Sequence, residues 1–367
     1  MESTLLSVLL PALITFTVGI AITPLVTHFL YKHEVWKKQG GKVAMGGHEA
    51  IEFNRLKAGA ETSTPRMGGI VIWGSVLITI IGTFLLSIIL PNSYFADLDY
   101  LSRSQTLIPT FALLIGATIG FLNDFYDVYH EGRGLSLKLR LLLISILSGT
   151  LAWWFYDKLD VTTISIPFDG SLELGVFIIP FFVLLTLLLY ASGVIDGIDG
   201  LSGGVFAAIF TAYTGIAIAQ SQFEIATFTA TVVGAVMAFL WFNIPPARFW
   251  MTETGSMALT LCLATIVFMT DSLGEGNGIS LLLIVGLPLI ATVASNVIQV
   301  LYRKLTGRKL FRIAPLHHHF EAIGWPSHKV TMRYWIISIF CAVIGVILAN
   351  IAWVTRNQNL LTGSYLL

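Results

Sequence analysis

What most constrains this chain is a feature that recurs about ten times in 367 residues. It is an apolar run close to the ~20 residues that carry a helix across a bilayer. Backbone placed in lipid must satisfy its own polar groups, so runs of this kind fold as helices. They fall at about 5–30, 67–90, 107–123, 137–156, 173–191, 201–219, 225–243, 256–270, 279–302 and 332–354. Charged residues make up 11% of the chain, against roughly 25% in a soluble domain. The expected fold is therefore all-α: a polytopic integral membrane protein of about ten transmembrane helices, forming a single domain over 1–367. The first run is too long for a signal-peptide core and is led by Glu2 rather than by basic residues, so it reads as a retained span. Cys262 and Cys341 both lie inside apolar runs and read as small core residues.

An even number of spans puts both termini on one side. Of the 21 Lys and Arg residues, all but Arg103, Lys158 and Arg356 follow an odd-numbered span. Loops rich in Lys and Arg stay in the cytoplasm. That side is therefore expected to be cytoplasmic, with both termini facing outward.

Every unusual polar cluster falls on that same basic side. Asn123-Asp124-Phe125-Tyr126-Asp127 closes the third span. Asp196-Gly197-Ile198-Asp199-Gly200 joins the fifth and sixth. Asn243 ends the seventh and is followed by Trp250-Met251-Thr252-Glu253-Thr254-Gly255-Ser256. His317-His318-His319 precedes the tenth. Acids of the other loops, such as Asp97, Asp160 and Asp271, read as solvated charges.

Ionisable groups at a membrane surface are costly unless paired, hydrated or metal-bound, which makes them functional candidates. Asp124 and Asp127, three apart, share a helix face if the third span continues that far. Asp196 and Asp199 repeat the spacing among glycines that permit tight turns. Glu253 adds a fifth carboxylate. Hard carboxylate oxygens beside phosphate oxygens suit Mg2+, and imidazoles and basic loops suit a phosphorylated substrate. Phosphoryl transfer needs charge neutralisation and in-line positioning above all, and at this depth the nucleophile would be a lipid phosphate. Trp250 reads either as an interfacial anchor or as a platform for a base. Gly68-Gly69 reads as a site of close helix packing.

The motifs together resemble the phospho-N-acetylmuramoyl-pentapeptide-transferase family, within the polyprenyl-phosphate N-acetylhexosamine-1-phosphate transferases. The resemblance runs from Thr64-Pro65-Arg66-Met67-Gly68-Gly69 to the end of the last span. Its most specific stretch is Phe311-Arg312-Ile313-Ala314-Pro315-Leu316-His317-His318-His319-Phe320-Glu321. Trp241-Phe242-Asn243 and the Asp-Gly repeat match as well. The resemblance implies transfer of phospho-N-acetylmuramoyl-pentapeptide from its UDP conjugate to undecaprenyl phosphate, giving lipid I and UMP. It places this at the cytoplasmic face of a bacterial inner membrane and requires Mg2+. The expected partners are those two substrates and membrane lipid, with no nucleic acid, and a homodimer is one candidate assembly.

Carried onto this sequence, the resemblance makes Asp124 the residue that acts on or positions the lipid phosphate, and Glu253 the magnesium ligand. Asp127 is a candidate to stand in for the family's first paired aspartate, which is Asn123 here. Asn243, Asp196 and Asp199 line a nucleotide pocket with Trp250 on the uracil. His317, His318 and His319 match residues near the sugar diphosphate, and the basic Arg66 and Arg133 are read beside them as candidates to clamp it. The pattern departs from the family at Asn123, at Glu253 in place of an aspartate, and at Arg66 and Arg133. Alternatives are a sister transferase with another UDP-N-acetylhexosamine and a catalytically silent binding or scaffold homologue. An ion-coupled transporter is disfavoured, because the acids hug one face.

Overall fold

A computed structural model describes residues 2–38, 41, 61–93, 96–102, 105–130, 134–166, 170–272 and 276–362. Among them are twelve helices. α1 is Glu2–Lys32, α2 Ile70–Ile89, α3 Leu107–Tyr129, α4 Leu137–Leu159, α5 Ile178–Ser192, α6 Leu201–Ala219 and α7 Phe223–Asn243. α8 is Thr252–Ser272, α9 Gly278–Val285, α10 Leu287–Thr306, α11 Leu316–Ala322 and α12 Ser327–Thr362. Nine stretches of described helix are long and apolar enough to span a membrane, and α9 with α10 makes a tenth, bent by 71°.

That bend has a local cause. Pro288 has no amide hydrogen to continue the ladder from α9, and Gly286 directly precedes α10. The ninth run of 279–302 is thus two helices rather than one. The fifth span begins at Gly175 rather than 173, and its α-helix at Ile178, because Gly170–Glu173 pairs antiparallel with Thr163–Ile166 in a small hairpin. These two strands, β1 and β2, are the only ones among the described residues. Apolar periodicity could not reveal so short and exposed a hairpin.

Helix α8 is the axis of the bundle, with 89% of its span buried. It packs against α3, α5, α6 and α9, while α1 lies along α7 and α12 along α6. The α3–α8 crossing is tight because Gly120 has no side chain: a Cβ there would sit 2.0 Å from the Glu253 carbonyl oxygen. The Gly68-Gly69 pair likewise serves close packing, since a Cβ on Gly69 would meet the Gly255 nitrogen at 2.2 Å. Both approaches draw polar side chains toward the start of α8. Cys262 and Cys341 are buried and unbridged.

Candidate active site

The site is built on the first turn of α8, whose leading amides have no partner within the helix. Two carboxylates from other elements supply one. Asp196, in the turn ahead of α6, accepts from the Thr252 amide at 2.8 Å. Asp124, on α3, accepts from the Thr254 amide at 2.8 Å. The same Asp124 Oδ2 takes the hydroxyls of Thr252 and Thr254, each at 2.6 Å. Negative charge at a helix start is favourable in any case. Thr252 holds φ 53°, a left-handed conformation uncommon for a β-branched residue. Its hydroxyl also accepts from the Met67 amide at 3.1 Å. α8 thus starts four residues before the expected 256, and Glu253 lies inside the helix, held from both sides.

Helix α3 continues through Asp127 to Tyr129, so Asp124 and Asp127 do lie on one buried face. Asp127 receives Arg66 Nη2 at 3.1 Å and Lys37 Nζ at 3.7 Å. The Arg66 segment is clamped by backbone bonds from Trp250 N to Pro65 O and from Gly68 N to Trp250 O. Asn123 accepts from the Leu135 amide at 3.1 Å and so pins the loop leading to α4.

Glu253 Oε1 receives Arg140 Nη1, from the first turn of α4, at 2.6 Å. Arg66, Asp124 and Asp196 also lie within its electrostatic reach. Arg140 was missed as a site residue, though an arginine inside an apolar span is a flag that sequence alone carries. Thr252, Thr254 and Ser202 were missed as well, and no pattern distinguishes them from ordinary helix residues.

Asp196 bonds Ser202 Oγ at 2.6 Å with its other oxygen. Burial pushes its carboxyl above the usual range, against those hydrogen bonds; Asp124 adds to the rise and Arg66 opposes it. Asp199 is fully engaged, with Trp250 Nε1 at 3.0 Å on one oxygen and the Ala247 amide at 3.1 Å on the other. It therefore fixes the plane of the indole. Asn243 is buried and joins the Gly200 amide to the Phe249 carbonyl, at 3.0 and 2.8 Å. It ties the end of α7 to the Asp-Gly turn and to the segment ahead of α8.

The histidine triplet forms α11, and the turn of the helix divides it. His317 and His318 are buried and reach the Asp-Gly turn so closely that a Cβ on Gly197 would lie 2.7 and 2.6 Å from their Nε2 atoms. Glu321 Oε2 lies 2.7 Å from His318 Nδ1. His319 faces the other way, accepting the Arg312 amide at its Nδ1. Arg133 lies outside the described residues.

A magnesium ion fits this arrangement poorly. Mg2+ commonly takes only one or two carboxylates with waters and phosphates, so a sparse ligand set alone would decide nothing. Here, however, Glu253 already holds a guanidinium at 2.6 Å, and Asp127 holds another cation pair. Asp124 Oδ2 carries three donors.

The carboxylates, guanidiniums, imidazoles and indole thus converge from α3, α4, α8 and α11 and from the segments ahead of α2, α6 and α8 on one end of the bundle. Residues 106–271 match the Glycosyl transferase family 4 model. A phospho-N-acetylmuramoyl-pentapeptide-transferase of Bacillus mycoides is 35% identical over 92% of this chain and 96% of its own length. Proteins of the same name from Anoxybacillus flavithermus and a Geobacillus species are 32% and 33% identical, each over 92% of this chain. The chain belongs to the phospho-N-acetylmuramoyl-pentapeptide-transferase family.

Proposed function

We propose that the chain transfers phospho-N-acetylmuramoyl-pentapeptide from UDP to undecaprenyl phosphate, yielding lipid I and UMP. The observation that carries this is the convergence at the start of α8, where Asp124, Asp196, Glu253 and Arg140 meet within reach of His317 and His318. Family membership supports the choice of substrates. The bias of Lys and Arg toward the loops at this end supports a cytoplasmic site in a bacterial inner membrane, with both termini outward.

In the reaction, an oxygen of the lipid phosphate attacks the phosphorus that carries the sugar. The new bond joins that phosphorus to the lipid phosphate, the bond to the uridylate oxygen breaks, and UMP leaves with the electron pair. Phosphate is already an anion and needs no strong base. Protein groups supply charge neutralisation and alignment. Arg66 and Arg140 face the diphosphate, and His317 and His318 close the pocket from the α11 side. Trp250, its plane set by Asp199, offers its face to the uracil. Asp124 positions, holding the α8 start from which Glu253 projects. Mg2+ is implied by the resemblance, and the side chains fit it poorly.

The test is reconstitution with undecaprenyl phosphate and UDP-N-acetylmuramoyl-pentapeptide. UMP and lipid-linked product should appear one for one, and UDP-N-acetylglucosamine should give neither. Product from UDP-N-acetylglucosamine would mean a sister transferase. One observation favours a second reading, a protein that binds this ligand without turnover: Arg140 engages Glu253, the residue that the resemblance makes the magnesium ligand. Ligand binding with no UMP released would establish it.

A further inference from the structure

We infer that this pocket neutralises a diphosphate with the guanidinium groups of Arg66 and Arg140, in place of a divalent cation. The inference rests on the pocket being a UDP-sugar site. Two independent features of the geometry carry it.

The first is the occupancy of the acids. Arg140 Nη1 lies 2.6 Å from Glu253, and Arg66 Nη2 lies 3.1 Å from Asp127, with Lys37 behind it at 3.7 Å. A metal ion entering at Glu253 would meet a fixed positive charge at contact distance. Like charges so close, in surroundings of low dielectric, repel strongly. The site resists a second cation and favours an anion.

The second is what the arginines have left to give. A guanidinium carries five N–H donors in a planar fork that matches phosphate oxygens. In both Arg66 and Arg140 the Nε is buried and finds no hydrogen-bond partner among the described residues. Buried donors are nearly always satisfied, so an orphan calls for an explanation. Two such orphans, on two cations whose other edges are fixed by carboxylates, are accounted for by an anionic ligand. Glu253 and Asp127 then act as supports that hold the guanidiniums in place. This agrees with the departures from the family pattern at Arg66 and Glu253.

The experiment measures binding of UDP-N-acetylmuramoyl-pentapeptide to the full chain in lipid nanodiscs by calorimetry, in EDTA and in excess MgCl2. The expected result is affinities within about twofold of one another, since no metal enters the complex. Arg140→Gln and Arg66→Gln should each weaken binding in EDTA by about tenfold or more, in keeping with a lost charged hydrogen bond. Arg140→Lys, which keeps the charge but loses the fork, should recover part of that loss and guards against a folding defect. Binding that requires Mg2+, or that neither arginine variant weakens, overturns the inference and leaves the proposed function standing. No binding in either condition removes the UDP-sugar reading itself, and this inference with it.

Discussion

Helix α8 carries one acid near each end, and the two are held in different ways. Asp271, at the far end, is 1% exposed. Its two oxygens accept backbone amides, from Ser165 of the hairpin at 2.9 Å and Ile279 of α9 at 3.0 Å. Glu253, at the basic end, has a side chain 27% exposed and is held by a side-chain cation. Backbone donors are fixed by the fold and cannot leave, so Asp271 acts as a lock between the hairpin, α8 and α9. A guanidinium anchored through one nitrogen keeps other N–H donors that a ligand can engage. In the sequence Asp271 reads as a solvated charge; in the fold it is buried, and β1 and α9 bring amides to it. The contrast separates a structural acid from a functional one by the nature of its donors rather than by depth.

The sharpest way to break that contrast is at Asp124, which shares both characters: it accepts one backbone amide and two hydroxyls. Asp124→Asn is expected to lower lipid-linked product formation by about 10²–10³-fold, the size seen when a preorganised electrostatic element is lost. Product formation near the wild-type rate would show that the α8 start need not be held from α3. Next in size is Asp271→Asn, which leaves one amide facing a donor and should cost about 2 kcal/mol of stability. Thermal unfolding in detergent checks the loss, and affinity for the UDP-sugar should not move. A change in affinity without a loss of stability would reverse the roles assigned to the two ends.

Smaller effects refine the basic end. Asp199→Asn frees one edge of the Trp250 indole and should weaken UDP binding by roughly tenfold or less, on the order of 1 kcal/mol. The change should appear in KM more than in kcat. Last comes His319→Ala, expected to stay within about twofold in turnover because its ring faces Arg312 rather than the Asp-Gly turn. His318→Ala removes the ring packed on Gly197 and should cost more than His319→Ala. Equal effects of the two would show that the triplet acts as a unit.

Much of this was legible in the chain. Apolar runs gave the spans to within a few residues, and the glycine pair at 68–69 indicated close packing. The polar clusters stood out because acids are expensive beside lipid. What escaped had physical reasons. The extension of α3 past Asn123 depends on burial of Asp124 and Asp127, which periodicity in an apolar run does not report. The break at Gly286-Leu287-Pro288 was written in the residues but hidden by the hydropathy on either side. The Arg140–Glu253 pair joins residues 113 apart in sequence, and only tertiary packing sets such a contact. The outward turn of His319 follows from helical geometry, which places three consecutive residues about 100° apart around the axis. Asn243 and Asp199 looked like ligand-facing residues because the chain shows their polarity and conceals their partners.

The central claim is that one pocket at the start of α8 holds the whole nucleotide diphosphate. A structure of the full chain with UDP-N-acetylmuramoyl-pentapeptide bound tests it most directly. The account predicts the uracil on Trp250 and the diphosphate against the Nε edges of Arg66 and Arg140, with His317 and His318 at its side. A ligand seated elsewhere, or a diphosphate that touches neither arginine while Arg140 stays on Glu253, would contradict it.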